Sequence, residues 1–148
     1  MAKVKFLVGS TYGNAQQAAE DASEQLEQLG HHCQVLNRPC LDDVTSADTD
    51  VIIICSATIG EGDIPDNLLP LYSQLKDHCP LLPHVKYAVI ALGDSSYDSF
   101  ADAGRQMDEL MQELQAVSVQ EMLLIDACET PDPEEAVLEW IGLLHPKL

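Results

Sequence analysis

Residues 4–14, Val-Lys-Phe-Leu-Val-Gly-Ser-Thr-Tyr-Gly-Asn, decide how the rest of the chain is read. An apolar run of strand character passes into a turn of small residues, and the turn opens a segment of helical periodicity. The turn, 9–14, supplies hydroxyls, an amide side chain and two glycines that let backbone N–H groups converge, with the positive end of a helix dipole behind them. It contains no Lys or Arg. An anion held there would be held by neutral donors, as suits a phosphate monoester that stays bound.

Working outward, Ala15, Ala18, Ala19, Ala22, Leu26 and Leu29 recur at helical spacing, and Gly30 closes the helix. A short strand at 32–36 is followed by a loop with Pro39, Asp42 and Asp43. Residues 50–55, Asp-Val-Ile-Ile-Ile-Cys, are apolar on both faces, as a strand inside a parallel sheet must be. A turn-rich segment at 56–66 leads to a helix over 67–76, with Pro70 near its first turn and Leu68, Leu71, Tyr72 and Leu75 as its buried stripe. Residues 87–92 form another buried strand that runs into polar turn residues. Ala103, Met107, Leu110, Met111 and Leu114 mark the next helical face, 122–125 the last strand, and Ala136, Val137, Trp140, Ile141 and Leu144 a final helix after Pro131 and Pro133.

The order is β-α-β-β-α-β-α-β-α, and residues 37–49 must supply the crossover between the second and third strands. Right-handed crossovers make this a single-domain α/β fold, a doubly wound, five-stranded parallel sheet. Ligands in such a sheet sit beyond the carboxyl ends of the strands, so the turn-rich segments after strands 1, 3 and 4 are expected to meet.

Composition narrows the function. The 148 residues fit one domain, and 25 acidic against 7 basic side chains give a formal charge of −18. That balance argues against nucleic acid and anionic membrane and favours basic partners. Five cysteines (Cys33, Cys40, Cys55, Cys79, Cys128) without a Cys-x-x-Cys suggest reduced thiols rather than a disulfide framework or a metal cluster. No metal-ligand spacing joins the five histidines, and the adjacent pair His31 and His32 points to opposite sides of any regular element. A strand within three residues of the start leaves no room for a signal peptide, and no run reaches membrane-spanning length. The expectation is a cytoplasmic protein, most simply a monomer. The missing Gly-Lys-Ser/Thr excludes a P-loop, and Gly-x-Gly-x-x-Gly is absent after the first strand.

Three segments in order, Gly9-Ser-Thr-Tyr-Gly-Asn14, Ala57-Thr-Ile-Gly-Glu-Gly-Asp-Ile-Pro-Asp-Asn67 and Ala91-Leu-Gly-Asp-Ser-Ser-Tyr-Asp-Ser-Phe100, resemble the phosphate loop and the two isoalloxazine loops of the flavodoxins, in particular the short-chain MioC/YqcA-like branch. The resemblance covers nearly the whole chain. It implies non-covalently bound FMN and one-electron transfer from a basic-surfaced flavin reductase to electron-acceptor enzymes. The first loop, Ser10, Thr11, Tyr12, Gly13, Asn14 and Ala15, would then hold the phosphate. Tyr12 stands where Thr is usual, and Ala15 where Thr or Ser is usual. In the second loop, Thr58, Ile59, Gly60, Glu61 and Gly62, the Gly60 peptide would flip so that its carbonyl meets flavin N5–H, and Ile59 replaces the usual aromatic. In the third, Gly93, Asp94, Tyr97 and Phe100, Tyr97 would stack on the ring, Asp94 or its backbone would meet N3, and Phe100 would pack beneath.

Glu61, Asp63, Asp66, Asp94, Asp98 and Asp102 fall on or just after these loops with no Lys or Arg among them. A unit charge ~10 Å away in water-like dielectric is worth on the order of 0.4 kcal/mol, so five of the six total roughly 2 kcal/mol before screening. With about 59 mV per ~1.4 kcal/mol for one electron, the second electron's potential falls by several tens of millivolts. The alternatives left by the sequence are an FMN-dependent reductase enzyme, for which no nicotinamide pocket is visible, and a non-flavin regulatory module of the same fold.

Overall fold

The computed structural model describes residues 3–10, 14–46, 49–58, 63–93, 101–126 and 132–148. Its strands are β1 (Lys3–Gly9), β2 (His32–Leu36), β3 (Val51–Ser56), β4 (Lys86–Gly93), β5 (Val117–Ser118) and β6 (Leu123–Asp126). Its helices are α1 (Asn14–Gln28), α2 (Leu41–Thr45), α3 (Leu69–His78), α4 (Asp102–Glu113) and α5 (Pro133–Leu144), the last running into a 3-10 turn at His145–Lys147.

Every strand pairing is parallel, in the order β2-β1-β3-β4-β5, with β6 also on β4. The expected fifth strand is thus two pieces on one edge. β5 lies against Lys86 and Tyr87, and β6 against Ile90 to Gly93. Between the two pairings β4 has only Ala88 and Val89, whereas the outer chain has residues 119–122. The outer chain carries the surplus as an irregular stretch, and one strand becomes two. Trp140 of α5 holds this irregularity, donating from its indole N–H to the Glu121 carbonyl at 2.8 Å. Nothing in the local pattern marks β5, a pair of exposed residues with no apolar run around it.

The continuous β-branched strands divide their side chains between two cores. Val4, Phe6 and Val8, with Val51, Ile53 and Cys55 of β3 and Ala88, Ile90 and Leu92 of β4, pack under α1 and α5. Leu7, Ile52, Ile54, Tyr87, Val89 and Ala91 face the opposite way, under α2, α3 and α4. Both sheet faces are covered, which is why the strands carry no polar alternation.

The crossover between β2 and β3 contains α2, a five-residue helix too short to show a period. Its Val44 is fully buried, and Asp43 caps it by accepting from the Cys40 N–H at 2.8 Å. At the end of α1, Gly30 lies at φ 96°, with Gly30 N–H on the Glu27 carbonyl and His31 N–H on Leu26, a Schellman closure. Leu29, expected on the buried face, is 39% exposed because it lies beyond the last turn. The stripes expected on α3, α4 and α5 are buried, apart from half-buried Tyr72 and Ala136. The final helix starts at Pro133 itself, capped by Asp132, whose carboxylate accepts from Glu135 N–H at 3.1 Å.

Candidate functional site

Strand order reverses between β1 and β3, because the chain leaves β1 towards β2 on one side and returns to build β3 and β4 on the other. The crevice at their carboxyl ends is the natural ligand position. Register brings the strand ends level there: Gly9 is opposite Ser56, and Ser56 opposite Ala91. Ala57 N–H extends the ladder to the Gly9 carbonyl at 2.8 Å. The three turn-rich segments therefore leave the sheet side by side.

Of the first loop, Ser10, Asn14 and Ala15 are described, and Thr11, Tyr12 and Gly13 lie outside the described residues. Ser10 is half-buried at the end of β1. Asn14, exposed, is the first residue of α1, and Ala15 is fully buried in the core beneath the turn. Gly9 permits a close approach: a Cβ there would stand 2.9 Å from Leu68 Cδ2 and 3.0 Å from Ser56 Oγ. The first turn of α1 carries no acidic residue, unlike those of α2, α4 and α5, which hold Asp42 and Asp43, Asp102, and Glu134 and Glu135 respectively. The N–H groups of that turn therefore have no carboxylate of their own to neutralise them, and the chain leading into it brings the hydroxyl of Ser10 and the amide of Asn14. That donor set fits a phosphate.

Of the second loop, Thr58 is described, while Ile59, Gly60, Glu61 and Gly62 lie outside the described residues. Thr58 Oγ1 accepts from the Ala103 N–H at 3.2 Å, so the hydroxyl serves the first turn of α4 and ties the second loop to the exit of the third. That exit is strained: Ala101, fully buried, lies at φ 60°, ψ 15°, in the left-handed region that a side chain disfavours. Gly93 ends β4, opposite the buried Asp126 of β6. Asp94, Tyr97 and Phe100 lie outside the described residues.

Sequence reasoning passed over Asn67, which it read as the end of the second loop and the start of a helix. It lies in the turn before α3, and its side chain reaches three ways. Oδ1 accepts from Ser10 N–H at 3.0 Å, and Nδ2 donates to the carbonyls of Val8 and Asn37, both at 2.7 Å. An Asn before a helix reads as a local cap, and its partners, 30 to 59 residues away, leave no sequence signal.

The acidic rim needs one correction. Asp63 and Asp66 are exposed, but Asp102 is paired with Arg105 one turn along α4, at 3.5 Å. The expectation that no basic residue interrupts the acids fails there, because helical periodicity brings i and i+3 together. Glu61, Asp94 and Asp98 lie outside the described residues.

Away from the crevice, Cys33 is half-buried and Cys55 buried, while Cys40 and Cys79 are exposed. Burial, then Glu27, pushes the Cys33 thiol up to about 11 against a weaker opposing hydrogen bond from Ser23, and burial alone raises Cys55 further. His31 is buried and His32 exposed, on opposite sides as expected. His31 Nε2 lies 2.9 Å from His145 Nδ1.

A sequence model of the Flavodoxin family matches residues 7–140. The chain belongs to the flavodoxin family. Within it, the chain is 42% identical to Flavodoxin YqcA of Escherichia coli K12 over 95% of each chain, and 34% identical to Protein MioC of the same strain over 96% of this chain and 95% of that one. Its fold superimposes on a cysteine-to-serine mutant of flavodoxin from Pseudomonas aeruginosa with a TM-score of 0.91 at 37% identity, covering 99% and 98% of the two chains. The short-chain MioC/YqcA-like assignment and the α/β fold both stand on these matches. This flavodoxin is accordingly an FMN-binding electron-transfer protein and not an enzyme. Its strand order is the one for which FMN at the β1/β3 reversal is a type case. Among the described residues no helix is long and apolar enough to cross a membrane.

Proposed function

We propose that this flavodoxin carries electrons one at a time from a basic-surfaced flavin reductase to electron-acceptor enzymes in the cytoplasm, as a monomer. Bound FMN supplies the one-electron chemistry. Ser10, Thr11, Tyr12, Gly13, Asn14 and Ala15 form the phosphate cradle, whose side-chain donors are Ser10, Thr11 and Asn14. Thr58 to Gly62 and Gly93 to Phe100 would flank the ring, with Tyr97 the aromatic to stack on it and Gly60 the peptide whose carbonyl would accept a hydrogen bond from it. The observation that carries this reading is the level row Gly9, Ser56 and Ala91 at the reversal of strand order, from which all three loops leave together.

The protein's own groups have two further tasks. The surrounding carboxylates would disfavour the more negative cofactor, lowering the potential at which the second electron is accepted. The same carboxylates, Asp63 and Asp66 foremost, orient a basic partner towards the exposed edge.

Purified protein should show flavin absorption bands, and stepwise photoreduction should pass through a one-electron stage. A reductase with a basic face should reduce it, and the reduced protein should in turn reduce an acceptor. Oxidation of NAD(P)H by the isolated protein at enzymatic rates would refute the carrier reading in favour of a reductase.

A further inference from the structure

We propose that Asn67 is the positioning residue of the phosphate cradle: its amide holds both peptide planes flanking Gly9 and so preorganises the first loop for a phosphate monoester. This rests on the reading that the first loop holds the FMN phosphate, and it gives a task at the phosphate end to the last residue of the second loop's motif.

The geometry is specific. The carbonyl of Val8 belongs to the peptide before Gly9, and it accepts from Asn67 Nδ2 at 2.7 Å. The N–H of Ser10 belongs to the peptide after Gly9, and it donates to Asn67 Oδ1 at 3.0 Å. A glycine has no side chain to hold its own φ and ψ; here one side chain bonds the planes on both sides of it, in addition to the Ala57 N–H on the Gly9 carbonyl. The remaining Nδ2 hydrogen reaches the Asn37 carbonyl at 2.7 Å, anchoring the amide to the exit of β2. A primary amide has two donor hydrogens and an acceptor oxygen, and all are engaged, so its orientation is determined. The next residue packs on the same spot, with Leu68 Cδ2 within 2.9 Å of where a Gly9 Cβ would be.

Asn67 closes the segment 57–67 that resembles a ring loop, but its three partners, Val8, Ser10 and Asn37, all lie outside the segments assigned to the ring. Its hydrogen bonds therefore act on the phosphate end. An ordered cradle spares the ligand the entropy of ordering it, and that gain exists only for a ligand that uses the cradle. FMN does so; riboflavin, with the same ring and ribityl chain but no phosphate, does not.

The test compares dissociation constants of the apoprotein for FMN and for riboflavin, read by flavin fluorescence, in wild type, Asn67→Ala and Asn67→Leu. Asn67→Ala should weaken FMN by about tenfold, equivalent to ~1.4 kcal/mol, with riboflavin unchanged. Asn67→Leu, close in shape and uncharged, can neither accept from Ser10 N–H nor donate to the two carbonyls. It should also lose preference for FMN, and it decides the matter alone if the alanine variant does not fold. Unchanged FMN affinity, or an equal loss for both flavins, would overturn the proposal by making Asn67 either irrelevant or a general brace. Wild type that binds FMN no better than riboflavin would instead overturn the first-loop phosphate reading on which the proposal stands.

Discussion

Gly104, on the sheet-facing side of α4, offers the sharpest test of how tightly this flavodoxin is packed. A Cβ on it would lie 2.4 Å from Ala91 Cβ, 3.3 Å from Ala91 Cα and 3.6 Å from Val89 Cγ1. Carbon atoms rest at about 3.5–4.0 Å, and an alanine Cβ has no torsion by which to retreat, so α4 would have to back away from β4 by roughly 1 Å. Two effects of opposite sign compete in Gly104→Ala. Removing a glycine from a helix interior favours folding by about 1 kcal/mol. Overpacking costs about 1–3 kcal/mol, and here the shift also loosens Ala103, Met107, Leu110 and Met111, all buried on the same face. A 2.4 Å approach puts the overpacking at the top of its range, ~3 kcal/mol, so we expect a net loss of about 2 kcal/mol, or a fall of roughly 4–8 °C in Tm for a chain of this size. Thermal and urea unfolding of the apoprotein measure it. FMN affinity should fall as well, since moving α4 stretches the 3.2 Å bond between Ala103 N–H and Thr58 Oγ1. Adding Ala91→Gly removes the opposing carbon and should restore most of the stability, a coupling above about 1 kcal/mol in the double-mutant cycle. A Gly104→Ala protein as stable as wild type, or simple additivity of the two changes, would refute the argument.

Three other outcomes follow from single residues. Gln115, exposed at φ 68°, closes α4 in the position where glycine is preferred, with its N–H on the Gln112 carbonyl and Ala116 N–H on Met111. The left-handed strain of ~1–2 kcal/mol exceeds the ~0.5–1 kcal/mol of added unfolded-state freedom, so Gln115→Gly should raise stability by about 0.5 kcal/mol in urea titration; a loss would refute the strain. Burial first, then His145 and the N-terminal amine, holds His31 below its ordinary value of 6.5. The unfolded chain therefore binds more protons below pH ~6.5, and stability, full above that value, falls as pH drops through it towards the folded pKa. His31→Gln should flatten the fall in Tm between pH ~7.5 and ~5.5, and an unchanged slope would refute it. Finally, Asp63→Asn with Asp66→Asn should slow reduction by a basic reductase several-fold at low salt and leave it unchanged at about 1 M salt, where the screening length is ~3 Å; equal stopped-flow rates at low salt would remove these acids from the docking surface.

Much of the architecture was written in local pattern. The two-sided apolar strands β1, β3 and β4 could only be central in a parallel sheet, and the stripes of α3 and α4 lie buried where their periods put them. What failed to show were features without a repeat. The five residues of α2 are fewer than two turns, and β5 is a two-residue pairing that exists because Lys86 and Tyr87 have a free edge. The same distinction runs through the site. Gly9, Ser10 and Asn14 announced themselves as a turn of small polar residues between strand and helix. Asn67, Gly104 and the pairing of Asp102 with Arg105 did not, since an Asn before a helix, a glycine within one and an acid one turn from a base are each commonplace alone.

By itself, then, the sequence determined the layers, the strands at the centre and the loops at which a ligand would be held, because period and turn chemistry are properties of neighbouring residues. Only the tertiary structure decided how those loops are fixed to one another. It bonds Asn67 to the peptides on both sides of Gly9 and to Asn37, lends the Thr58 hydroxyl to α4, and closes α4 on Ala91 so that a glycine alone fits. Each of these is a contact between residues far apart in the chain, and its strength depends on a distance of tenths of an ångström that no spacing in the sequence encodes.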